Sequence, residues 1–167
     1  MRLFKGKFSK IILFLILNPI YFNIGMLEAA EEIKIIYSIF SRTIKVESLK
    51  DFANTGQSTL QLRRILNATG STDSEIKSVL NKDFEIPLTI ASKLVYSEIG
   101  NVFLTRLSSI IHPNRSRDER TGMLALRSSV VKGIDLGNGK INLINFFEGY
   151  PTKTVILDVN ALSKVMN

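Results

Sequence analysis

The stretch Pro87-Leu-Thr-Ile-Ala-Ser-Lys-Leu-Val-Tyr-Ser-Glu-Ile-Gly-Asn-Val-Phe-Leu-Thr-Arg-Leu-Ser-Ser-Ile-Ile-His-Pro113 decides how the rest of the chain is read. Ala91, Leu94 and Val95, then Ile99, Val102 and Phe103, then Leu107, Ile110 and Ile111 recur at the three-and-four spacing that lines one face of a helix. The spacing predicts a helix pair that turns this face to the core. Gly100 costs a helix interior about 1 kcal/mol relative to Ala. Ser97 followed by Glu98 has the chemistry of a fresh N-cap, so the pair breaks or restarts near 96–98. The pattern announces a soluble, mostly helical domain and no reaction.

Upstream, the helices are short and well punctuated. Ser48-Leu-Lys-Asp51, Ser58-Thr-Leu-Gln61 and Thr72-Asp-Ser-Glu75 each have the form of a capped start, in which a side-chain oxygen accepts from a first-turn N–H. Leu49, Phe52 and Ala53 supply the first apolar stripe, Leu62, Ile65 and Leu66 the second, and Ile76, Val79 and Leu80 the third. Gly56 and Gly70 offer left-handed stops. Before these helices, Ile33, Ile35 and Tyr37 alternate with Lys34, Ile36 and Ser38, and Thr43-Ile-Lys-Val46 alternates again after a connection at 39–41. That is an antiparallel hairpin with Ile33, Ile35, Tyr37, Ile44 and Val46 on its core side.

Downstream, Phe84 and Ile86 form an extended link into the central pair, and Pro113 stops that pair. Asn114 to Arg117 is a polar connection, and Asp118 caps a helix running to Lys132 with Met123, Leu124, Leu126, Val130 and Val131 on its apolar side. Residues 135–140, with Gly137 and Gly139, read as a turn, and Ile141, Leu143, Ile144 and Phe147 as a short helix closed by Gly149. Thr154 to Val159 is a strand, and Asn160 caps a terminal turn through Met166. The hairpin is the partner left for that strand. The expected fold is therefore α+β: about six short helices packed on a three-stranded antiparallel sheet made of the N-terminal hairpin and the C-terminal strand.

Composition narrows the function classes. The chain has 167 residues, of which 45% are hydrophobic, enough for one domain with a buried core. Arg2, Lys5, Lys7 and Lys10 precede the apolar run Ile11–Leu17, and a second apolar stretch ends at Met26-Leu-Glu-Ala-Ala30. This is the layout of a secretory signal peptide over 1–29, cut after Ala29, which leaves 30–167 as the single domain. Asn18, Pro19 and Asn23 keep the uninterrupted run below the ~20 residues that span a bilayer. The formal net charge of +7 falls to +4 when four basic residues and Glu28 leave with that segment, so the basic balance is poor support for nucleic-acid binding. With no cysteine and His112 as the single histidine, metal and cofactor chemistry has almost no ligands to draw on, and none is expected.

Catalytic patterns are weak. A serine triad needs a histidine, and His112 stands in the predicted last helical turn before Pro113, where an imidazole meets the helix dipole. Gly56-Gln-Ser58-Thr-Leu60 lacks the second glycine of a nucleophile elbow. Ser74-Glu-Ile-Lys77 and Ser129-Val-Val-Lys132 match Ser-x-x-Lys without its companion motifs, and Gly133, Gly137 and Gly139 form no phosphate loop. Asp118 and Glu119 are adjacent on a helix and point apart, which does not suit glycoside hydrolysis. What remains is cationic: Arg106, Arg115, Arg117 and Arg120, with Arg127 beyond, form either an anion or partner contact or a solvated loop paired with Asp118 and Glu119.

The order of the hairpin, Ser48-Leu-Lys-Asp-Phe-Ala-Asn-Thr-Gly56, Leu-Arg-Arg-Ile-Leu66, Val-Tyr-Ser-Glu-Ile-Gly-Asn-Val-Phe-Leu104 and Arg127 in a small-residue helix resembles a cyanobacterial domain of unknown function. That domain stands ahead of α/β-hydrolase domains in exported proteins, and its members are often named for the hydrolase. The resemblance covers about 32–165, implies no catalytic residue here, and implies an enzyme name inherited by association. A non-catalytic exported module that positions a partner, an α/β-hydrolase or a cell-envelope protein, in the periplasm or thylakoid lumen is the first reading. A small hydrolase acting on esters or amides near His112 or the arginine-rich 115–120 is the second. A membrane-surface protein tethered by an uncleaved amino terminus is the third.

Overall fold

A computed structural model describes residues 29–70 and 72–166. The signal-peptide reading of 1–29 falls almost wholly outside the described residues.

β1 (Glu32–Tyr37) and β2 (Phe40–Lys45) form the expected hairpin, with Ile33 opposite Ile44 and Tyr37 opposite Phe40. Ile33 and Ile44 are buried, whereas Tyr37, at the tip, is exposed. Ser38 takes a left-handed φ of 53° in the turn. The Asn160 side chain brackets it, accepting from Ser38 N–H at 2.7 Å and donating to Ser38 C=O at 3.3 Å.

Three helices follow: α1 (Val46–Thr55), α2 (Leu60–Thr69) and α3 (Asp73–Leu80). Only two of the three expected caps hold, one of them shifted. α1 starts directly from β2, with Lys45 at the N-cap and no side-chain cap, so Ser48 lies inside the helix. Thr59, rather than Ser58, caps α2 by accepting from Leu62 N–H. Thr72 and Glu75 form the full reciprocal capping box of α3. Gly56 and Gly70 close α1 and α2 in the left-handed region, as their sequence positions demand. Leu49, Phe52, Ala53, Leu62, Leu66 and Leu80 enter the core, and Val79 stays outside.

β3 (Phe84–Glu85) leads into α4 (Leu88–Val95) and α5 (Glu98–Ser108). The expected restart is present: the Ser97 hydroxyl accepts from Gly100 N–H at 3.0 Å. α5 then ends earlier than Pro113 because residues 111–113 are drawn into the sheet as β4 (Ile111–Pro113). α6 (Glu119–Leu136) is capped by Asp118, as expected, and runs past Lys132 to become the longest described helix. β5 (Lys140–Ile141) pairs antiparallel with β3, a two-stranded patch that the turn reading of 135–140 missed. α7 (Leu143–Glu148), β6 (Thr154–Asp158) and α8 (Val159–Met166) complete the chain. Asp158, rather than Asn160, caps α8, its carboxylate accepting from the N–H groups of Asn160 and Ala161.

The α+β class holds, with eight helices among the described residues, but the three-stranded antiparallel sheet does not. The main sheet has four strands in the order β2-β1-β6-β4, with β6 parallel to β1 and antiparallel to β4. The direction of β6 follows from where the chain re-enters. The N–H groups of Glu31 and Glu32 donate to the Lys153 carbonyl at 2.9 and 3.1 Å, which places Thr154 opposite Glu32 at the start of β1. A parallel pair cannot close as a hairpin, and everything from α1 to α7 serves as the crossover. The helices bury Phe52, Leu62, Leu126 and Ile134 completely, together with Tyr150, whose hydroxyl finds no partner among the described residues. Burial pushes the Tyr150 phenol well above its ordinary pKa.

Backbones approach closely at α5 and α6. A Cβ on Gly100 would overlap the Leu94 carbonyl oxygen, and one on Gly122 would sit 2.7 Å from the Ser108 Cβ. Gly100→Ala gains about 1 kcal/mol of helix propensity, yet the displaced α4–α5 junction costs more, in the range of about 1–3 kcal/mol for overpacking against backbone. The expected result is a lower urea midpoint at unchanged m-value; a midpoint that rises would show that the junction yields freely.

Two caps also make stability pH-dependent. Hydrogen bonds from the Thr72 backbone and then its hydroxyl hold the Glu75 carboxyl below its ordinary value, and those from the Thr121 backbone and hydroxyl do the same for Asp118. A depressed folded value stabilises the fold above the unfolded pKa, and that stabilisation is lost as pH falls through the folded value. Thermal melts from about pH 5 to about pH 3 should fall less steeply for Glu75→Gln with Asp118→Asn than for the parent. Equal slopes would assign the acid sensitivity to other carboxylates.

Candidate functional site

The central pair forms helices as expected but faces the other way. α5 buries Gly100, Leu104 and Ser108, with Asn101 and Thr105 half-buried beside them, and turns Ile99, Val102 and Phe103 outward. Ile99 is 79% exposed, Phe103 63% and Leu94 59%. Ala91 and Val95 of α4 are buried, while Leu88, Ile90 and Leu94 are not. The expected core stripe is thus split, with Ala91, Val95, Leu107, Ile110 and Ile111 inside or packed on the core and the rest in water. The reason lies in α6, whose buried Gly122 meets the Ser108 side chain of α5. Small residues let two helix backbones come together, and the small side of α5 fits there better than its bulky side.

Arg127 of α6 holds this arrangement. Its Nε–H donates to the Val95 carbonyl at 3.0 Å, its Nη2 donates to Asn101 Oδ1, and its guanidinium lies 4.4 Å from the Tyr96 ring centroid. One planar cation therefore satisfies the C-terminal end of α4, the first turn of α5 and the exposed aromatic between them. Arg127 also borders a groove of about 460 Å³ between α4 and α6, with Leu88, Tyr96, Leu124, Val131 and Asp135 along it. No sequence motif marked this groove; the presence of Leu124 in the expected apolar stripe of α6 was the nearest signal.

The arginines singled out in the sequence do not converge on one cavity. Arg106 is exposed near the end of α5, and Arg117 and Arg120 are exposed on either side of the Asp118 cap. Arg115 lines a cleft of about 310 Å³ with Pro113, Asn114, Thr152, Lys153 and Thr154, where Lys153 pairs with Glu31 at 3.2 Å. Gly122 against Ser108 sets the first turn of α6 beside the last turn of α5, so Arg120 and Arg106 share one end of the helix pair.

His112 is structural, though not at a helix end. It lies in β4 opposite Ile156, is buried, and its Nδ1–H donates to the Pro113 carbonyl at 3.0 Å. Among the described residues no serine hydroxyl bonds to it. Ser129 is fully buried and donates its hydroxyl proton to the Phe146 carbonyl, tying α6 to α7. No three His, Asp or Glu side chains among the described residues are grouped to hold a metal ion, and no described helix is long and apolar enough to cross a membrane.

Residues 29–158 match the family described as alpha/beta hydrolase of unknown function (DUF1400). The chain belongs to that family. No curated protein and no solved structure matches it. The match to DUF1400 takes in the whole four-stranded sheet, the α4–α5 face and both clefts, ending on the last residue of β6. Within it this DUF1400 chain carries no Gly-x-Ser-x-Gly elbow, and its main sheet has one parallel pair between two antiparallel ones.

Arg127→Lys keeps the charge but loses the fork and the planar stack. Hydrogen bonds to a charged group contribute about 1.5–3 kcal/mol each, so the expected loss in denaturant unfolding is about 2–3 kcal/mol, with hydrogen exchange accelerated first at the α4–α5 junction. A loss within about 0.5 kcal/mol, the ordinary scatter of surface changes, would mean that α4 and α5 are held by packing alone.

Proposed function

We propose that the chain is a non-catalytic member of this family, exported by way of residues 1–29, which acts by docking through the outer face of α4 and α5. The observation that carries this reading is the inverted amphipathicity of α5, with Ile99, Val102 and Phe103 in water while Gly100, Asn101 and Thr105 face the molecule. Soluble monomers keep contiguous apolar patches to roughly 300–600 Å², and those that approach this size are commonly functional. The missing elbow and the buried, carbonyl-bound His112 and Ser129 support a role in positioning over a role in turnover. The partner class is an α/β-hydrolase or a component of the cell envelope, met in the periplasm or the thylakoid lumen after cleavage behind Ala29.

The second reading, a small esterase or amidase, draws on the family description. The two separate in one assay of the purified chain: short-chain chromogenic esters for turnover, and an apolar fluorescent dye for the exposed face. The docking module shows no turnover above the buffer rate and binds dye, and Ile99→Ser with Phe103→Ser removes most of the dye signal at unchanged far-UV circular dichroism. Ester turnover by the chain itself would overturn the proposal in favour of the hydrolase.

A further inference from the structure

We propose that the outer face of α4 and α5 seats on the headgroup boundary of an anionic lipid bilayer. This deepens the docking reading and rests on it. Both helices pack on α6 and on each other, and the residues they turn away from it form the outer side on which the proposal rests. That side carries Ile90, Leu94, Ile99, Val102 and Phe103. With 8 and 11 residues, the helices are about 12 and 16 Å long, too short to span a bilayer but long enough to lie along one. Aliphatic and aromatic side chains bordered by cations are the composition of an interfacial helix.

Charge selects this occupant over a second copy of the chain. Lys93 and Arg106 stand exposed on the same helices, and neither makes an ion pair among the described residues. Glu98, in the first turn of α5, is the acid on the two helices. Pairing with a second copy would bring the same unpaired cations to one desolvated interface, where like charges oppose association. An anionic surface is complementary to them, and each cation near it strengthens partition. The apolar residues enter the acyl boundary while Lys93 and Arg106 keep their charged ends among phosphates.

The test uses residues 30–167. The described core runs from Ala30 to Ile156, so this form retains the fold, and circular dichroism checks it. The chain has no tryptophan, which makes Phe103→Trp a single reporter. Vesicles of phosphatidylglycerol with phosphatidylcholine should co-sediment the protein and shift the emission of the introduced indole to the blue. Pure phosphatidylcholine should bind roughly tenfold less, and so should the anionic vesicles when Lys93→Gln and Arg106→Gln are combined. Ile99→Ser with Phe103→Ser, read by co-sedimentation, should weaken partition by about tenfold or more at unchanged fold. No binding of the folded protein to anionic vesicles, or binding indifferent to both pairs of substitutions, would overturn the lipid assignment. A concentration-dependent dimer that Ile99→Ser with Phe103→Ser abolishes, without vesicle binding, would also overturn it while leaving the docking module intact. Ester turnover by the chain would instead remove the module reading itself.

Discussion

The closeness of the backbones around α6 sets the terms for everything else. Gly122 meets Ser108 of α5, Gly133 meets the Asn145 carbonyl of α7, and a Cβ on Gly149 would lie 2.7 Å from Gly133 N and 2.8 Å from the Ser129 carbonyl. Helices that approach so nearly cannot place large side chains between them, so their bulk must go elsewhere. On the α7 side it goes into the core, where Ile144, Phe147 and Tyr150 pack together. On the α5 side no described element covers it, and Ile99, Val102 and Phe103 are exposed among the described residues. The apolar face is thus a direct consequence of a small-residue contact.

Hydrogen bonds complete what the small residues begin. Ser129 to the Phe146 carbonyl and Arg127 to Val95 and Asn101 satisfy polar groups at the two seams of α6, where an unpaired donor or acceptor would cost about 1–3 kcal/mol. Both residues invite a chemical reading in the linear sequence, one as the serine of a Ser-x-x-Lys pattern and the other as part of an arginine cluster. In the fold both serve to hold helices together. The same holds for His112, whose place in β4 beside Ile156 brings the end of the α4–α5 segment into the sheet.

Membership of a family named for hydrolases leaves the chemistry to be argued from the residues present. Helices carry most of the core between them and the sheet, while α4 and α5, packed on α6, carry the apolar face with Lys93 and Arg106 exposed on the same helices. An inverted helix in such a position is stable only if its apolar surface is tolerated in water or met by a partner. The proposed seating on lipid meets it with the matching combination of acyl chain and phosphate.

Local chemistry, the Ser48 cap excepted, was readable to within a residue or two. Thr72 with Glu75, Ser97 and Asp118 cap where the side-chain oxygens say they should, and Gly56 and Gly70 stop their helices, because each depends on contacts within four residues. The hairpin register, Ile33 on Ile44, likewise follows from alternation. The sidedness of α5, the direction of β6 and the conversion of Ile111 to Pro113 into a strand were not readable. A helical period locates a stripe and leaves open whether the stripe or its small opposite side meets a neighbour. That choice belonged to Gly122, fourteen residues beyond the Ser108 it meets. β6 turned parallel because the Lys153 carbonyl meets the N–H groups of Glu31 and Glu32, a contact between opposite ends of the chain. Capping and turns act over one helical turn and so are written locally, whereas close packing and strand pairing compare surfaces that become neighbours only when the chain has folded.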